Sequence, residues 1–552
     1  MREKKRNDNR NNFIKQASIL AVSGLLARFL GFLYRLPLTD LIGDEGNTIY
    51  SAGFYIYTFL LVVSSAGLPG AISKMVAERR AEEHYEAAHR LFKVAFAMAT
   101  IIGAALAVFL FAFAHTFASL INVPEAALAI QVLAPTIFVV AMMAVIRGYF
   151  QGMSMTTPTA ASQLIDQIFN AVFSIVLAHT LYNFAMDRGY VAINYAAAGG
   201  TLGSTVGAVA GFMFIAGIYF LSRKDVAVEV RRAINKRKRE GLEPYRERTS
   251  HLIKTILITS TTIIMGTAIF TIVNMADLAM VLNRLEVAGF DESTARSLYG
   301  QVTGKFHPIT NLPAAISSSL AIALIPAISA ANALGKHKEV RDKINTGLRV
   351  GMFLTIPIAL GLAVLGSQIV ALLFPNHPDG GTLFLWGFAS IIFLAISQIA
   401  TGIVQGLGKT MVPVYAALAG AVVKIASTYF LVAIPQINIY GAVLGTTFCF
   451  LVAAAINCGY LFKHTKTKPD VKGMLLKPLF SSVGMAMGTF TFYHSTYFLM
   501  GNMLFSTIIA VFAGMALYIL FMLLVKGFRE EDVLFLPGGK KILSKMKGRG
   551  LI

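Results

Sequence analysis

Long apolar segments recur along the whole chain, with short polar stretches between them. Each segment runs for about 20 residues or more, the length that an α-helix needs to cross the hydrocarbon core of a bilayer. About fourteen such segments lie between residues 14 and 526. Transmembrane strands need only about ten residues. The pattern therefore predicts an all-α integral membrane protein with about fourteen transmembrane helices.

The composition agrees with this pattern. Of the 552 residues, 56% are hydrophobic and 14% are charged, whereas a soluble domain carries about 25% charged residues. The basic N-terminus resembles the start of a signal peptide, but Arg28 interrupts the apolar run that follows, so we predict a retained first helix. Cys449 and Cys458 have neither disulfide-framework nor metal-ligand spacing. We expect no metal and no cofactor.

The formal net charge of +20 could indicate a nucleic-acid partner, but the basic residues follow a different pattern. They concentrate in alternate loops, such as 74–90 and 336–343, while the opposite loops carry acids such as Asp40, Asp44 and Glu45. This is the positive-inside pattern, and it predicts that both termini are cytoplasmic. We expect the basic loops to meet anionic lipids at the cytoplasmic face and expect no binding of nucleic acid.

Two short motifs occur twice, about 255 residues apart. Ala71-Ile72-Ser73 is matched by Ala327-Ile328-Ser329, and Gln151-Gly152 by Gln405-Gly406. Six predicted helices separate equivalent points, and an even number gives both halves the same orientation in the membrane. We therefore predict two pseudo-symmetric six-helix lobes, related by an axis along the membrane normal, with the functional site between them.

The repeat divides the chain into six predicted parts. The longest basic run, from Arg223 to Lys254, falls between the lobes and fits a cytoplasmic linker. The parts are a cytoplasmic tail (1–13), the N-lobe with six helices (14–221), the inter-lobe linker (222–251), the C-lobe with six helices (252–462), two further transmembrane helices (475–526) and a second cytoplasmic tail (527–552).

A few ionisable side chains fall inside the predicted helices. A charge at mid-bilayer costs roughly 2.5–3.5 kcal/mol, so each one needs a partner or a water-filled cavity. Cations outnumber carboxylates in this set, which predicts an inter-lobe cavity that favours an anion. The candidates for substrate binding are Arg28, Arg35, Asp166, Lys305 and His307, and two further charges are Asp277 and Lys424.

Arg28 and Arg35 lie seven residues apart, so both guanidinium groups fall on one face of the first helix. The planar guanidinium donates two parallel hydrogen bonds and stays charged, which favours phosphate. A lipid-linked phosphate or diphosphate is an anion that such a site could meet inside a membrane. Two alternatives stay open: Arg28 could form a structural pair with Asp166, and Lys305 and Arg147 could extend to the interface from helix ends.

Several motifs resemble one transporter family. They are ARFLGF (27–32), GDEGNTIYS (43–51), GLPGAISKMVAE (67–78) and RGYFQGMSMTTPTAASQLIDQ (147–167). The chain resembles, over nearly its whole length, the polysaccharide-export branch of the multidrug/oligosaccharidyl-lipid/polysaccharide (MOP) exporter superfamily, which includes MurJ-like lipid II flippases and SpoVB-like proteins. The resemblance implies alternating access in the bacterial plasma membrane, with an undecaprenyl-diphosphate-linked saccharide, lipid II first, moved from the inner to the outer leaflet. It also suggests cell-wall synthesis proteins as partners.

The resemblance carries over residue by residue only in part. The first arginine of the family's helix 1 matches Arg28, and the second matches Arg35 with a shift of one residue and without the aspartate that follows it. The helix-2 arginine of the MurJ-like proteins has no counterpart in IYTFLLVVSSAG (56–67). GDEG and GLPGAISK are closer to the SpoVB-like subgroup, and the identity of the saccharide stays open.

The resemblance also bears on ion coupling. MurJ-like proteins are thought to hold sodium through carboxylate and amide groups of helices 7 and 11. Here helix 7 offers Asn274 and Asp277, one turn apart, but helix 11 presents Lys424. An ammonium beside Asp277 would take the place of sodium. We predict a Lys424–Asp277 ion pair and sodium-independent transport; the alternative is that Lys424 contacts substrate or solvent.

Other functions are possible on the same residues. A flippase for another cell-surface or spore-wall saccharide needs the same phosphate chemistry. A multidrug antiporter of the same fold should have carboxylates and aromatic rings suited to cations, whereas this set is net basic. A glycosyltransferase could use Asp40, Asp44 and Glu45, but the two-lobe repeat suits alternating access better. We therefore expect a transporter, not an enzyme.

Overall fold

Almost all of the described chain is α-helical. The computed structural model describes residues 2–239 and 247–528, and these two ranges contain no β-strand. The prediction of an all-α fold is confirmed. The helices are α1 (Arg2–Leu61), α2 (Leu68–Ala81), α3 (Tyr85–Ala112), α4 (Ala114–Leu120), α5 (Ala127–Gly152), α6 (Thr157–Arg188), α7 (Ala192–Arg239), α8 (Thr249–Val287), α9 (Glu292–Gln301), α10 (His307–Ala333), α11 (His337–Leu373), α12 (Leu383–Gly406), α13 (Met411–Val432), α14 (Tyr440–Thr465), α15 (Lys477–Met500) and α16 (Met503–Leu524).

The first helix is two helices joined at a sharp break. Gly43 has φ 69° and ψ −175°, a conformation that glycine adopts easily because it has no Cβ. The 60 residues of α1 would span about 90 Å if straight, about three times the thickness of the hydrocarbon core. The break separates the first two apolar segments that the sequence predicts.

The chain is a multi-pass membrane protein. Within the described residues, eleven helical segments are long and apolar enough to cross a membrane, and the first of these, Val22–Ala81, contains the break at Gly43. Helix α8 includes the start of the predicted C-lobe, and α15 overlaps the predicted pair of helices at 475–526, but neither is among the eleven. The count of fourteen crossings and the cytoplasmic termini stay predictions.

Two compact units make up the chain, unit 1 (Met1–Ala279) and unit 2 (Met280–Ile552). The boundary between them falls inside α8. The six predicted parts of the chain stay predictions. Residues 240–246 of the predicted linker, and those of the predicted C-terminal tail after 528, lie outside the described residues.

A stripe of glycines fixes the packing of α7 on α6 in unit 1. A Cβ added at Gly199 would lie 2.5 Å from the carbonyl oxygen of Leu177, and one at Gly203 would lie 2.2 Å from the Oγ of Ser174. Both distances are far below van der Waals contact, so alanine at either position would push the helices apart. Small residues allow this close approach of two membrane helices.

The two units repeat one helical hairpin. In unit 1, α2 ends at Ala81 and α3 begins at Tyr85; in unit 2, α10 ends at Ala333 and α11 begins at His337. This register differs by one helical turn from that of the repeated Ala-Ile-Ser motif. A string of small residues matches almost as well one turn away, because the same helix face recurs about every 3.6 residues.

Candidate functional site

Arg35 lies against a pair of tyrosines in unit 1. Its Cζ is 4.2 Å from the centroid of the Tyr50 ring, and the Tyr50 hydroxyl is 3.2 Å from that of Tyr34. Fifteen residues of straight helix would separate positions 35 and 50 by about 22 Å. The contact therefore depends on the bend at Gly43.

The stacking leaves part of the Arg35 guanidinium available. Its Nη1 is buried and has no hydrogen-bond partner among the described residues. A ring that covers one face of a guanidinium attracts its charge but does not occupy the N–H groups, which point outward in the guanidinium plane. The Nη1 of Arg35 is therefore a buried donor without an acceptor among the described residues.

Arg28 lies two turns earlier on α1 in a different environment. Its side chain is exposed, whereas that of Arg35 is half-buried. The two arginines thus share a helix but not the same degree of burial. The prediction that both face a cavity between the lobes stays a prediction.

Asp166 of α6 pairs with Arg147 of α5. The Arg147 Nη2 is 3.6 Å from the Asp166 Oδ2, and the same guanidinium donates to the Ser162 Oγ from Nε (3.0 Å) and Nη2 (2.7 Å). The predicted alternative of an Arg28–Asp166 pair is wrong, because the carboxylate is paired with Arg147. The Arg147 side chain is only 14% exposed. Two opposite charges that share a poorly solvated site satisfy each other.

Lys305 belongs to unit 2 and is completely buried. Its Nζ donates to the carbonyl oxygens of His377 (2.8 Å) and Asp379 (2.9 Å), and it lies 5.8 Å from the centroid of the Phe374 ring. Extension to the membrane interface, the alternative considered for Lys305, stays a prediction. The contacts favour a structural role, in which the ammonium holds the segment after α11.

His307 follows Lys305 at the start of α10 and is half-buried, with its ring centroid 5.9 Å from that of Phe306. Arg28, Arg35 and Asp166 belong to unit 1. Lys305 and His307 belong to unit 2. That all five residues form one substrate site stays a prediction.

The three residues predicted for coupling are divided in the same way. Asn274 and Asp277 lie on α8 within unit 1, and Lys424 lies on α13 in unit 2. Asp277 is 4% exposed and Lys424 is 5% exposed, so both charges are buried. The Lys424–Asp277 pair stays a prediction. In the part of the chain that the structure describes, no group of three His, Cys, Asp or Glu residues could hold a metal ion.

Sequence reasoning missed three residues that define these environments. Tyr34 and Tyr50 form the aromatic surface for Arg35, and Ser162 accepts hydrogen bonds from Arg147. The only local signal was the proximity of Tyr50 to the break, within GDEGNTIYS. Ser162 and Asp166 lie one helical turn apart, on the same helix face. This spacing could have indicated that both contact one partner.

Comparison with known proteins decides the family. A family described as "Polysaccharide biosynthesis protein" matches residues 13–332, more than half of the chain. The chain belongs to the polysaccharide biosynthesis protein family. A second family, MatE, matches residues 303–430. The chain thus falls in the polysaccharide-export branch of the MOP superfamily, as the sequence motifs predict.

Relatives of this chain occur in Bacillus subtilis (strain 168). It is 25% identical to "Uncharacterized membrane protein YabM", covering 97% of this chain and 96% of the relative. It is 22% identical to "Lipid II flippase MurJ", covering 80% of this chain and 81% of MurJ. It is 24% identical to "Stage V sporulation protein B", covering 79% of this chain and 80% of that protein. These named relatives place the chain among multi-pass bacterial membrane proteins.

Two solved structures show the same fold. A lipid II flippase MurJ in an inward closed conformation matches with a TM-score of 0.63 at 16% identity, covering 92% of this chain and 98% of that chain. An inward-facing multidrug resistance MATE family transporter matches with a TM-score of 0.62 at 15% identity, covering 80% and 94%. The MOP fold is therefore shared by a flippase and by a drug transporter.

Proposed function

We propose that this protein is a flippase for an undecaprenyl-diphosphate-linked saccharide, with lipid II as the leading cargo, and that it works by alternating access. The single observation that carries the proposal is the environment of Arg35, a membrane-helix arginine stacked on Tyr50 with a buried Nη1 directed at no partner among the described residues. The relationship to the MurJ of Bacillus subtilis supports the same conclusion. A flippase leaves its substrate chemically unchanged, so the site needs to bind and release rather than react.

Arg35 suits a diphosphate for physical reasons. The Tyr50 ring supports one face of the guanidinium, which holds its orientation, and the remaining N–H groups match the spacing of two phosphate oxygens. Arg28, two turns earlier and exposed, supplies a second positive charge on the same helix. We propose that Arg28 meets the anion first and that Arg35 holds it. Asp166, paired with Arg147, stabilises the neighbouring helices of the site.

A second candidate cargo is a spore-wall or other cell-surface saccharide. The relationship to "Stage V sporulation protein B" favours it. The proposed role of Arg35 is the same for both cargoes, since both carry the diphosphate, and the sugar decides between them. The multidrug antiporter alternative rests on the shared fold and on the MatE match to residues 303–430, but the positive charges of Arg28 and Arg35 do not suit cationic drugs.

The proposal is tested by flipping in proteoliposomes that contain the full chain and fluorescent lipid II. Arg35→Ala should reduce the flipping rate at least tenfold, and Arg35→Lys should restore part of it, because lysine keeps the charge but loses the planar fork. Arg188→Ala is the matched control, since Arg188 also lies over an aromatic ring, 4.4 Å from the Phe184 centroid, but is exposed. A normal rate for Arg35→Ala, or an equal loss for Arg188→Ala, would contradict the role of Arg35.

The choice of cargo needs a separate measurement. Unlabelled undecaprenyl-linked saccharides of different sugar composition should compete with fluorescent lipid II in the same proteoliposomes. Strong competition by lipid II itself, with weak competition by other saccharides, supports the leading cargo. Preferential competition by a different saccharide favours the spore-wall or cell-surface alternative.

We further propose that transport does not require sodium, on the argument that Lys424 pairs with Asp277. Each of the two charges is buried in its own unit, which supports the idea that each needs an opposite charge. Flipping rates with and without a sodium gradient should agree within about twofold. Lys424→Gln should introduce a sodium dependence if the ammonium replaces the ion. A strict sodium requirement in the unmodified protein would refute the idea.

A further inference from the structure

Each unit contains a cleft at the same place in the repeat. The N-cleft, about 880 Å³, lies between the α2–α3 turn, the α5–α6 loop and α7. The C-cleft, about 540 Å³, lies between the α10–α11 turn, the α12–α13 loop and the end of α14. Left-handed residues mark equivalent turns: Glu83 (φ 60°) answers Gly335 (φ 66°), and Ser154 (φ 59°) answers Gly408 (φ 82°).

Two ion pairs lie in the lining of the N-cleft, Arg80–Glu229 and Lys236–Glu83. The guanidinium of Arg80 donates to both carboxylate oxygens of Glu229 at 2.9 Å, and the Nζ of Lys236 donates to Glu83 at 2.6 Å. Glu229 and Lys236 both lie on the last part of α7. The N-cleft thus obtains its counter-charges from a helix that continues past the membrane-spanning segment.

The C-cleft lacks that extension. Helix α14 has 26 residues where its counterpart α7 has 48, and it ends at Thr465 with Lys466 in the left-handed conformation (φ 52°). The described residues that line the C-cleft include no carboxylate. They include three permanent cations, Arg341, Lys409 and Lys466.

The cations of the C-cleft are not neutralised by nearby acids. Among the described residues, Arg341, Lys409 and Lys466 form no ion pair. Glu339, in the first turn of α11, instead approaches Lys336 (3.5 Å) and Lys343 (3.0 Å). Three like charges around a concave surface raise the local positive potential, and a bound anion lowers it.

Two histidines extend the basic lining. His337 begins α11, and His464 lies near the end of α14. The His464 ring is stacked on that of Tyr460, with centroids 3.8 Å apart, and its Nδ1 is 3.0 Å from the Tyr460 carbonyl oxygen. These contacts hold the ring at the edge of the cleft. The site therefore combines a guanidinium fork, two ammonium groups and two imidazoles.

We propose that the C-cleft binds a phosphate-bearing anion, separately from the proposed flipping of lipid-linked saccharide. The fork of Arg341 suits two phosphate oxygens, and Lys409 and Lys466 supply point charges. The cleft lies where the positive-inside pattern predicts the cytoplasmic face, within reach of anionic lipid headgroups and of soluble phosphate. Both sources present the same chemistry.

The experiment uses the full-length chain and has two arms. In the lipid arm, the protein is placed in phosphatidylcholine nanodiscs with increasing phosphatidylglycerol, and lipid binding is followed by native mass spectrometry. In the soluble arm, inorganic phosphate is titrated into detergent-solubilised protein. Saturable binding in either arm supports the proposal, and the arm that saturates identifies the source. Saturation in neither arm overturns it.

Two double variants localise the binding. Arg341→Gln with Lys409→Gln should weaken it at least tenfold. Lys338→Gln with Lys463→Gln removes the same charge from exposed positions outside the C-cleft lining and should weaken it less than twofold. Equal weakening by both would assign the binding to general surface charge and overturn the site.

A measurement on the unmodified chain tests the site without relying on the folding of any variant. Phosphate at saturating concentration should protect Lys409 and Lys466 from acetylation by a lysine-reactive reagent, as read by peptide mass spectrometry. Lys338 and Lys463 should react at nearly the same rate with and without phosphate. Equal protection of all four lysines would contradict a localised site.

Discussion

The N-cleft and the C-cleft are built from equivalent helix ends and loops, but they differ in how their cations are paired with acids. In the N-cleft, Arg80 pairs with Glu229 of α7 and Lys236 pairs with Glu83. The C-cleft keeps its cations unpaired within the described residues, because α14 stops before it could supply an equivalent acid. The repeated backbone is thus preserved while the charges have diverged.

Equivalent positions of the two clefts carry different side chains. By the helix ends, Arg80 corresponds to Asn332 and Tyr85 to His337; by the α5–α6 and α12–α13 loops, Met155 corresponds to Lys409. The C-cleft therefore gains basic groups where the N-cleft has an aromatic ring and a thioether. Residue identity at these positions and the shorter α14 together distinguish the C-cleft from the N-cleft.

The largest expected effect comes from giving the C-cleft the residues of the N-cleft. His337→Tyr with Lys409→Met should reduce the affinity for the phosphate-bearing anion at least tenfold, because it removes one permanent charge and one imidazole. Binding in the two arms described above measures this. The reciprocal pair Tyr85→His with Met155→Lys is the control for general effects on folding. If His337→Tyr with Lys409→Met leaves the affinity unchanged, these two basic groups do not account for the difference between the clefts.

The next effect concerns stability of unit 1. The Arg79 Nη2 donates to both oxygens of Glu247, at 2.8 and 2.6 Å, and the two side chains are 11% and 14% exposed. Arg79→Ala should lower the free energy of unfolding by about 1–3 kcal/mol, because it leaves a mostly buried carboxylate without its charged donor. Thermal unfolding in detergent checks this. Arg90→Ala is the control and should change little, since the Arg90–Thr249 hydrogen bond is exposed.

A smaller effect should follow from removing the acids of the N-cleft. Glu229→Gln with Glu83→Gln leaves Arg80 and Lys236 without their carboxylates. The N-cleft should then gain weak phosphate binding, seen as a second site with an affinity below that of the C-cleft. Native mass spectrometry counts bound lipids and reports this directly. A stoichiometry that stays at one would show that position and shape, not neutralisation, exclude anions from the N-cleft.

The smallest effect is a pH dependence at the N-cleft. The hydrogen bond and charge of Lys236 lower the pKa of Glu83 below its ordinary value. Because the folded-state pKa is the lower one, the stabilisation is present above the ordinary carboxylate pKa and is lost as the pH falls through the lowered value. The difference in melting temperature between the unmodified protein and Lys236→Met should therefore shrink on acidification below about pH 4.5. A melting-temperature difference that does not change with pH would contradict a stabilising Glu83–Lys236 ion pair.

Much of the fold could be predicted from local patterns. Windows of about 20 residues determine whether a helix can cross a bilayer, so the spans and the all-α class were readable one segment at a time. The repeated motifs revealed the duplication, but the Ala-Ile-Ser match put it one turn out of register, as the ends of α2 and α10 show. Small-residue strings carry too little information to fix a register on a helix.

The candidate site was less predictable. The presence of Arg35 and Asp166 inside apolar helices could be read directly, but their partners could not. Arg147 is the partner of Asp166, and the Tyr50 ring lies against Arg35, because helix rotation and the bend at Gly43 bring them together. Lys305 reaches two backbone carbonyls far along the chain. Such contacts depend on packing, which no local window contains.

By itself, then, the sequence of this protein determined the membrane-spanning helices, the internal repeat and the excess of cations, because hydropathy and charge act locally. The tertiary structure alone decided which cations are neutralised. Arg80 and Arg341 are both basic residues near one type of helical turn, yet only Arg80 meets an acid, which α7 supplies from about 150 residues away. Coulomb attraction falls with distance, so only folding determines which charges compensate each other.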